Sequence, residues 1–287
     1  MTALTLPVPA HAAPIEVRDD TGRTIRLEKP AERIIALYGA YNEILAAMGL
    51  GERLVARTKA DGLPPSILAK PSIGTHMRPN VEAVLALKPD LIIQGAGRTD
   101  AMMPVQQLMR QGLKVAVFNP VTFAQLFSVM DRIGILTGER PKAQRLIESY
   151  RARLNAVKSR AARTGHRPKV FFEVRYPNLL GAGAKSIVND VIEYAGGVNC
   201  VTLPKKLVRL DIESLIAFNP DLYVVQRGPM NRGPSRLSER PHFYLLDAVK
   251  TGRILYVDEQ VFSRPGPRSV DAVEQLARAL HRAVAAR

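Results

Sequence analysis

Tryptophan is absent from this 287-residue chain, and cysteine occurs once, at Cys200. A single thiol forms no internal disulfide and no cysteine-ligated metal cluster. Long apolar runs are also missing, and none reaches the ~18 residues that cross a bilayer. Catalytic signatures are sparse. Gly95-Ala96-Gly97 follows an apolar run, but the third glycine of a dinucleotide fingerprint is lacking. There is no P-loop, no nucleophile elbow and no zinc-binding helix. Histidine occurs only at His11, His76, His166, His242 and His281, never as neighbours, which is a weak basis for holding a bare transition metal. No catalytic residue, resident cofactor or protein metal site is therefore expected. An α/β enzyme of unknown reaction stays as the alternative of another class.

What is present is ordinary for a folded chain: 46% hydrophobic and 23% charged residues, with a length that suits two lobes. Net charge is +15, and 29 of the 41 basic residues are arginine. Arginine favours planar, bidentate recognition of carboxylate or phosphate, although an arginine-biased genome gives the same count. The basic residues are scattered and no nucleic-acid motif accompanies them, so a nucleic-acid partner is not expected. The segment Thr2 to Pro14 carries an apolar stretch followed by Ala10-His11-Ala12, a small-x-small pattern of a secretory cleavage site. Residues 1–14 are read as a signal-peptide remnant, and a disordered arm is the plainer alternative. The expected location is periplasmic or extracytoplasmic.

An internal repeat supplies the architecture. Asn80 to Ile93 reads NVEAVLALKPDLII, and Asp211 to Val224 reads DIESLIAFNPDLYV, at an offset of 131 residues. Asn80 and Asp211 suit helix N-caps. Glu82 and Glu213 fall in first turns, where a carboxylate meets the positive helix end. Pro89 and Pro220 stop each helix, and a buried strand follows. A weaker echo pairs Asn42–Gly49 with Asn189–Gly196, each an amphipathic helix closing on glycine. Between the halves, Leu146, Ile147, Tyr150, Leu154 and Val157 recur at helical spacing and predict one helix over Pro141 to Arg163, roughly 35 Å long. Further strands are predicted at Arg33–Tyr38, Arg53–Arg57, Lys114–Phe118, Lys169–Val174 and Arg253–Val257. The expected fold is α/β: two similar lobes (15–139 and 165–287) with mainly parallel sheets, joined by one long helix (140–164), with the ligand cleft between them.

In this order, several segments resemble a known family. They are Ile15–Arg23, Pro30–Leu37, Asn42–Leu50, the two Glu…Pro-Asp-Leu units and Arg264-Pro-Gly-Pro-Arg268. Together they are similar to the helical-backbone (class III) periplasmic binding proteins that serve ABC importers for iron-siderophores, haem or cobalamin. The resemblance implies a stiff interlobe helix, small hinge motions and a monomer that delivers its ligand to a permease dimer at the membrane surface. It also implies that one glutamate per lobe, here Glu82 and Glu213, docks on the permease. Favourable placement at helix N-termini is the alternative role for both.

Ligand contacts are expected just past the strands: Tyr38, Tyr41, Thr58, His76, Arg78 and Arg98 in the first half, and Arg175, Tyr176, Arg227, Arg232, Phe262 and Arg264 in the second. Converging arginines would focus a positive field on an anion, and tyrosines supply flat apolar surface with a polar tip. This combination suits an anionic metal chelate, a ferric siderophore first and haem next. For haem, His76, Tyr38 or Tyr176 is a candidate axial ligand. Cobalamin fits less well in a chain with 6% aromatics. A signalling receptor would carry the same ligand site as a transport feeder.

Overall fold

The structure, a computed structural model, describes residues 14–96, 99–163 and 165–285. Most of the expected leader and Arg98 lie outside the described residues. The chain divides into two compact units, each discontinuous in sequence. The first comprises the residues up to Asn42, Leu50–Asn119 and Asp131–Ala143. The second comprises Glu43–Gly49, Pro120–Met130 and the residues from Gln144 onward.

The first unit is built on a parallel three-stranded sheet, in the order Ile34–Ala36, Leu91–Gly95, Val115–Phe118. Apart from Gln94 and Gly95 at the end of the central strand, these strands are apolar because both faces are covered. Ile35, Ile92, Val115 and Val117 pack with Val84, Val105 and Leu108 from neighbouring helices. A hairpin, Ile15–Arg18 with Thr24–Leu27, is tied to the edge strand through Asp19. Burial alone would raise the Asp19 pKa. Hydrogen bonds from Thr21, Arg23 and the Val117 amide outweigh this and hold the carboxyl below its usual range.

The second unit carries the larger sheet. Its parallel core is Lys169–Arg175, Leu222–Arg227 and Ile254–Asp258, with Val198–Asn199 also parallel to the first of these. Leu180–Ala182 and Leu207–Arg209 extend it antiparallel. These two strands are three residues each, too short to show an alternating pattern in the sequence. The overall class is α/β with mainly parallel sheets, as the alternation of strands and helices implies.

The repeat is realised in both copies. Asn80 accepts from the Ala83 amide at 3.0 Å and opens helix Val81–Ala86. Asp211 accepts from the Ser214 amide at 2.8 Å and opens helix Ile212–Phe218. Each helix is followed by the central strand of its unit's parallel sheet. The weaker echo is also real: helices Gly39–Ala47 and Ile187–Tyr194 are followed by Gly49 and Gly196 at φ of 74° and 93°. A backbone turned that way suits glycine because it has no Cβ. At Gly196 a side chain would in addition meet Ala161 at 2.5 Å.

The long helix runs Arg140–Ala162, 23 residues, one position earlier than its spacing predicts at each end. Ala143, Ile147, Tyr150, Leu154 and Val157 form its buried stripe. Within the second unit, Arg153 clamps Asp271 at 2.6 Å and Glu274 at 2.8 Å on the final helix, Arg268–Ala285. One predicted strand is overturned. Arg53–Arg57 starts as a 3₁₀ turn, Gly51–Arg53, and pairs only through isolated bridges at Leu54 and Arg57. The Arg53 guanidinium reaches the Ala31 and Thr137 carbonyls, at 3.0 and 2.7 Å, and holds the turn in place.

Replacing Asn80 with alanine removes the cap of a six-residue helix and is expected to cost about 1 kcal/mol, read from the urea midpoint. An unchanged midpoint would show that the cap is idle.

Candidate functional site

In open parallel sheets, ligands meet the loops beyond the carboxyl ends of the strands. In the first unit, strand Ile34–Ala36 runs through Leu37 to Tyr38, and helix Gly39–Ala47 follows at once. Tyr38 is half-buried, with its ring 6.3 Å from His76 and 5.9 Å from Tyr41. His76 sits at the tip of a tight hairpin between Gly74–Thr75 and Arg78–Pro79. Gln94, buried near the end of the central strand, holds that tip by donating to the His76 carbonyl at 2.9 Å. Arg78 is exposed on the same hairpin. Tyr38, His76 and Arg78 are therefore gathered at one strand end.

Two other expected contacts in this unit are corrected by their burial. Tyr41 is 2% exposed, and its hydroxyl donates to the Phe118 carbonyl at 2.8 Å. Burial pushes this phenol well above its ordinary pKa. Thr58 is also enclosed. Its amide and hydroxyl both donate to Asp61, at 2.7 and 2.9 Å, closing a turn.

The second unit presents Arg175, Arg227 and Arg232, all exposed. Arg175 ends its strand, and Arg227 ends the neighbouring one with its guanidinium 4.0 Å from the Tyr256 ring centre. Arg232 follows the 228–231 turn, which is closed by a Gly228–Asn231 bridge. Tyr176 is half-buried and Arg264 is partly so. Phe262 is a third correction: it is fully enclosed and stacks on Phe172 at 6.0 Å, so it belongs to the core.

Beneath these loops lies a group that the sequence reading did not single out. Glu173 is completely buried within its strand. Arg240 faces it as an ion pair, with side-chain exposures of 1% and 0%. The Tyr223 hydroxyl donates to Glu173 at 2.7 Å and the Asn231 amide group at 3.1 Å. Asn231 also accepts from the Tyr176 amide at 3.2 Å, and the Arg240 guanidinium lies 4.0 Å from the Tyr176 ring centre. The network thus positions the Tyr176 loop and the turn that precedes Arg232. A glutamate inside the apolar run Val170-Phe-Phe-Glu-Val174 was the available signal, since a charge is rarely enclosed without a partner.

Glu82 and Glu213 are exposed in the first turns of their helices, while Asn80 and Asp211 make the capping bonds. Among the described residues, no three His, Cys, Asp or Glu side chains gather where they could hold a metal ion.

Over residues 34–261 the sequence matches the periplasmic binding protein family. The chain belongs to that family. YvrC of Bacillus subtilis, an uncharacterized ABC transporter substrate-binding lipoprotein, is 26% identical over 273 residues, covering 93% of this chain and 86% of its own. The vitamin B12-binding protein of Yersinia pestis is 27% identical, covering 86% and 85%. A solved structure, a possible iron-binding (periplasmic solute-binding) protein of Staphylococcus epidermidis, superposes with a TM-score of 0.78. Its identity is 27%, and the match covers 88% of this chain and 100% of that one. The resemblance read from the sequence is confirmed, and with it the general role of this periplasmic binding protein: substrate binding for an ABC transporter.

Breaking the buried pair leaves an unpaired charge in the interior. Arg240→Ala is expected to lose about 3–5 kcal/mol in chemical denaturation. A loss below about 1 kcal/mol would mean that water reaches Glu173 and that the network is not what fixes these loops.

Proposed function

We propose that this periplasmic binding protein captures an anionic metal chelate, a ferric siderophore foremost, and delivers it to the permease of an ABC importer. The carrying observation is the set of exposed arginines at strand ends in each unit, Arg78 in the first and Arg175, Arg227 and Arg232 in the second. A guanidinium pairs a carboxylate or catecholate oxygen through a planar fork. Half-buried Tyr38, next to His76 on the Arg78 hairpin, and Tyr176, which follows Arg175 in the chain, would offer aromatic surface to a ligand's apolar parts. Arg264, half-buried beyond the last strand, and Arg98 complete the proposed set. The chelate brings its own metal donors, so the protein supplies charge and shape rather than coordination.

Haem is the next ligand in this reading, because Tyr38 and His76 stand together and either is an axial ligand type. The Yersinia relative's name favours a corrinoid as a second reading. The protein acts outside the cytoplasm, as a monomer and without catalysis, and its export rests on the leader-like segment before Pro14. Glu82 and Glu213 are the residues that meet the permease, one from each repeat copy.

Calorimetry with a ferric tris-catecholate tests the ligand. Arg175→Glu with Arg227→Glu is expected to weaken binding at least tenfold, about 1.4 kcal/mol, while the exposed helix arginine replaced in Arg145→Glu leaves it unchanged. Equal affinities in both variants would remove the arginines from the site. No binding of ferric chelates, haem or corrinoids at micromolar levels would end the reading altogether.

Docking is tested separately. Glu82→Arg with Glu213→Arg is expected to abolish ligand uptake by cells carrying the transporter while leaving ligand affinity intact. Uptake at the wild-type rate would show that these side chains serve only their helices.

A further inference from the structure

A cavity of about 970 Å³ lies in the second unit, against the last turns of helix Arg140–Ala162 and the last turns of helix Arg268–Ala285. Val157, Ala161, Ala195 and Leu280 give it an apolar floor, and Arg160, Arg163, Arg278 and Arg282 also line it, together with His166 and His281. Pro168, immediately before strand Lys169–Arg175, also lines it. The cavity is therefore at the amino end of that strand, whereas Arg175 is at the carboxyl end. Seven residues at about 3.3 Å each separate the two by roughly 20 Å. It is a different place from the strand-end arginines.

Its charge is unbalanced. Among the described residues, Glu274 is the one carboxylate in the lining, and Arg153 already donates to it at 2.8 Å. That bond, helped by nearby Arg278 and Arg160, holds the Glu274 carboxyl below its usual range. Carbonyl ends of two helices contribute about half a negative charge each. Roughly one charge of helix dipole does not neutralise four guanidiniums. The remaining field favours an anion, and the apolar floor favours a hydrocarbon body next to it. A volume near 1,000 Å³ accommodates a small organic molecule.

We propose that this cavity binds a phosphate or carboxylate group carried on a short apolar body. This site does not depend on what the strand-end arginines hold.

The test titrates the full chain with n-octyl phosphate, below its micelle concentration, by calorimetry, with neutral octyl glucoside as the comparison. One saturable site is expected, at least tenfold weaker for the glucoside. Arg278→Glu with Arg282→Glu, two exposed positions, is expected to weaken octyl phosphate at least tenfold. Ala277→Trp, which fills the space and keeps the charges, is expected to do the same. Arg175→Glu with Arg227→Glu should leave this binding unchanged. Flotation with phosphatidylglycerol vesicles separates the sources: retention lost in the Arg278/Arg282 variant supports a lipid-borne group, and octyl phosphate binding without retention supports a soluble one. Wild-type affinity in both cavity variants, loss of binding in the Arg175/Arg227 variant, or no binding of either probe would overturn the proposal.

Discussion

The second unit is organised around a carboxylate enclosed by protein. Glu173 lies inside a parallel sheet, and an enclosed charge is tolerable only if it is paired and its lone pairs are filled. Arg240 supplies the opposite charge, while Tyr223 and Asn231 fill further acceptor positions. Each partner belongs to a different stretch of chain, so satisfying one carboxylate fixes several loops at once. A hydrophobic replacement of the pair could be as stable, but it would not dictate where Asn231 and Tyr176 stand. The network therefore acts more on the placement of loops than on the total stability of the fold.

The first unit reaches the same end with a neutral device. Gln94, buried near the end of the central strand, donates to the His76 carbonyl and accepts from the Gly95 amide at 2.9 Å. Gln226, one residue beyond the position that the 131-residue offset pairs with Gln94, is also fully buried near the end of its own central strand. Each unit thus buries one amide side chain near the end of its central strand, and the second adds an ion pair. The extra antiparallel strands and the ion pair distinguish the second unit from its counterpart.

Much of this was legible in the sequence because it depends on neighbours in the chain. Caps, proline stops and glycine closures act over three to five residues, so the repeat and its two helices could be read directly. The stripe of Ile147, Tyr150, Leu154 and Val157 gave the long helix for the same reason. Side-chain direction was less accessible. Tyr41 and Phe262 follow strands as ligand residues do, but each belongs to a short helix whose packing turns it inward. Thr58 was taken up by Asp61 only three positions away, which its type alone does not reveal. The Glu173–Arg240 pair spans 67 residues, and nothing local at Arg240 marks it as enclosed.

The capped repeat helices carry a last implication. Asn80 and Asp211 each accept from one first-turn amide, that of Ala83 and of Ser214, so the exposed Glu82 and Glu213 act on their helices through charge rather than through the capping bond. What the fold asks of these two positions is a negative charge near the positive helix end, a demand that aspartate would meet as well as glutamate.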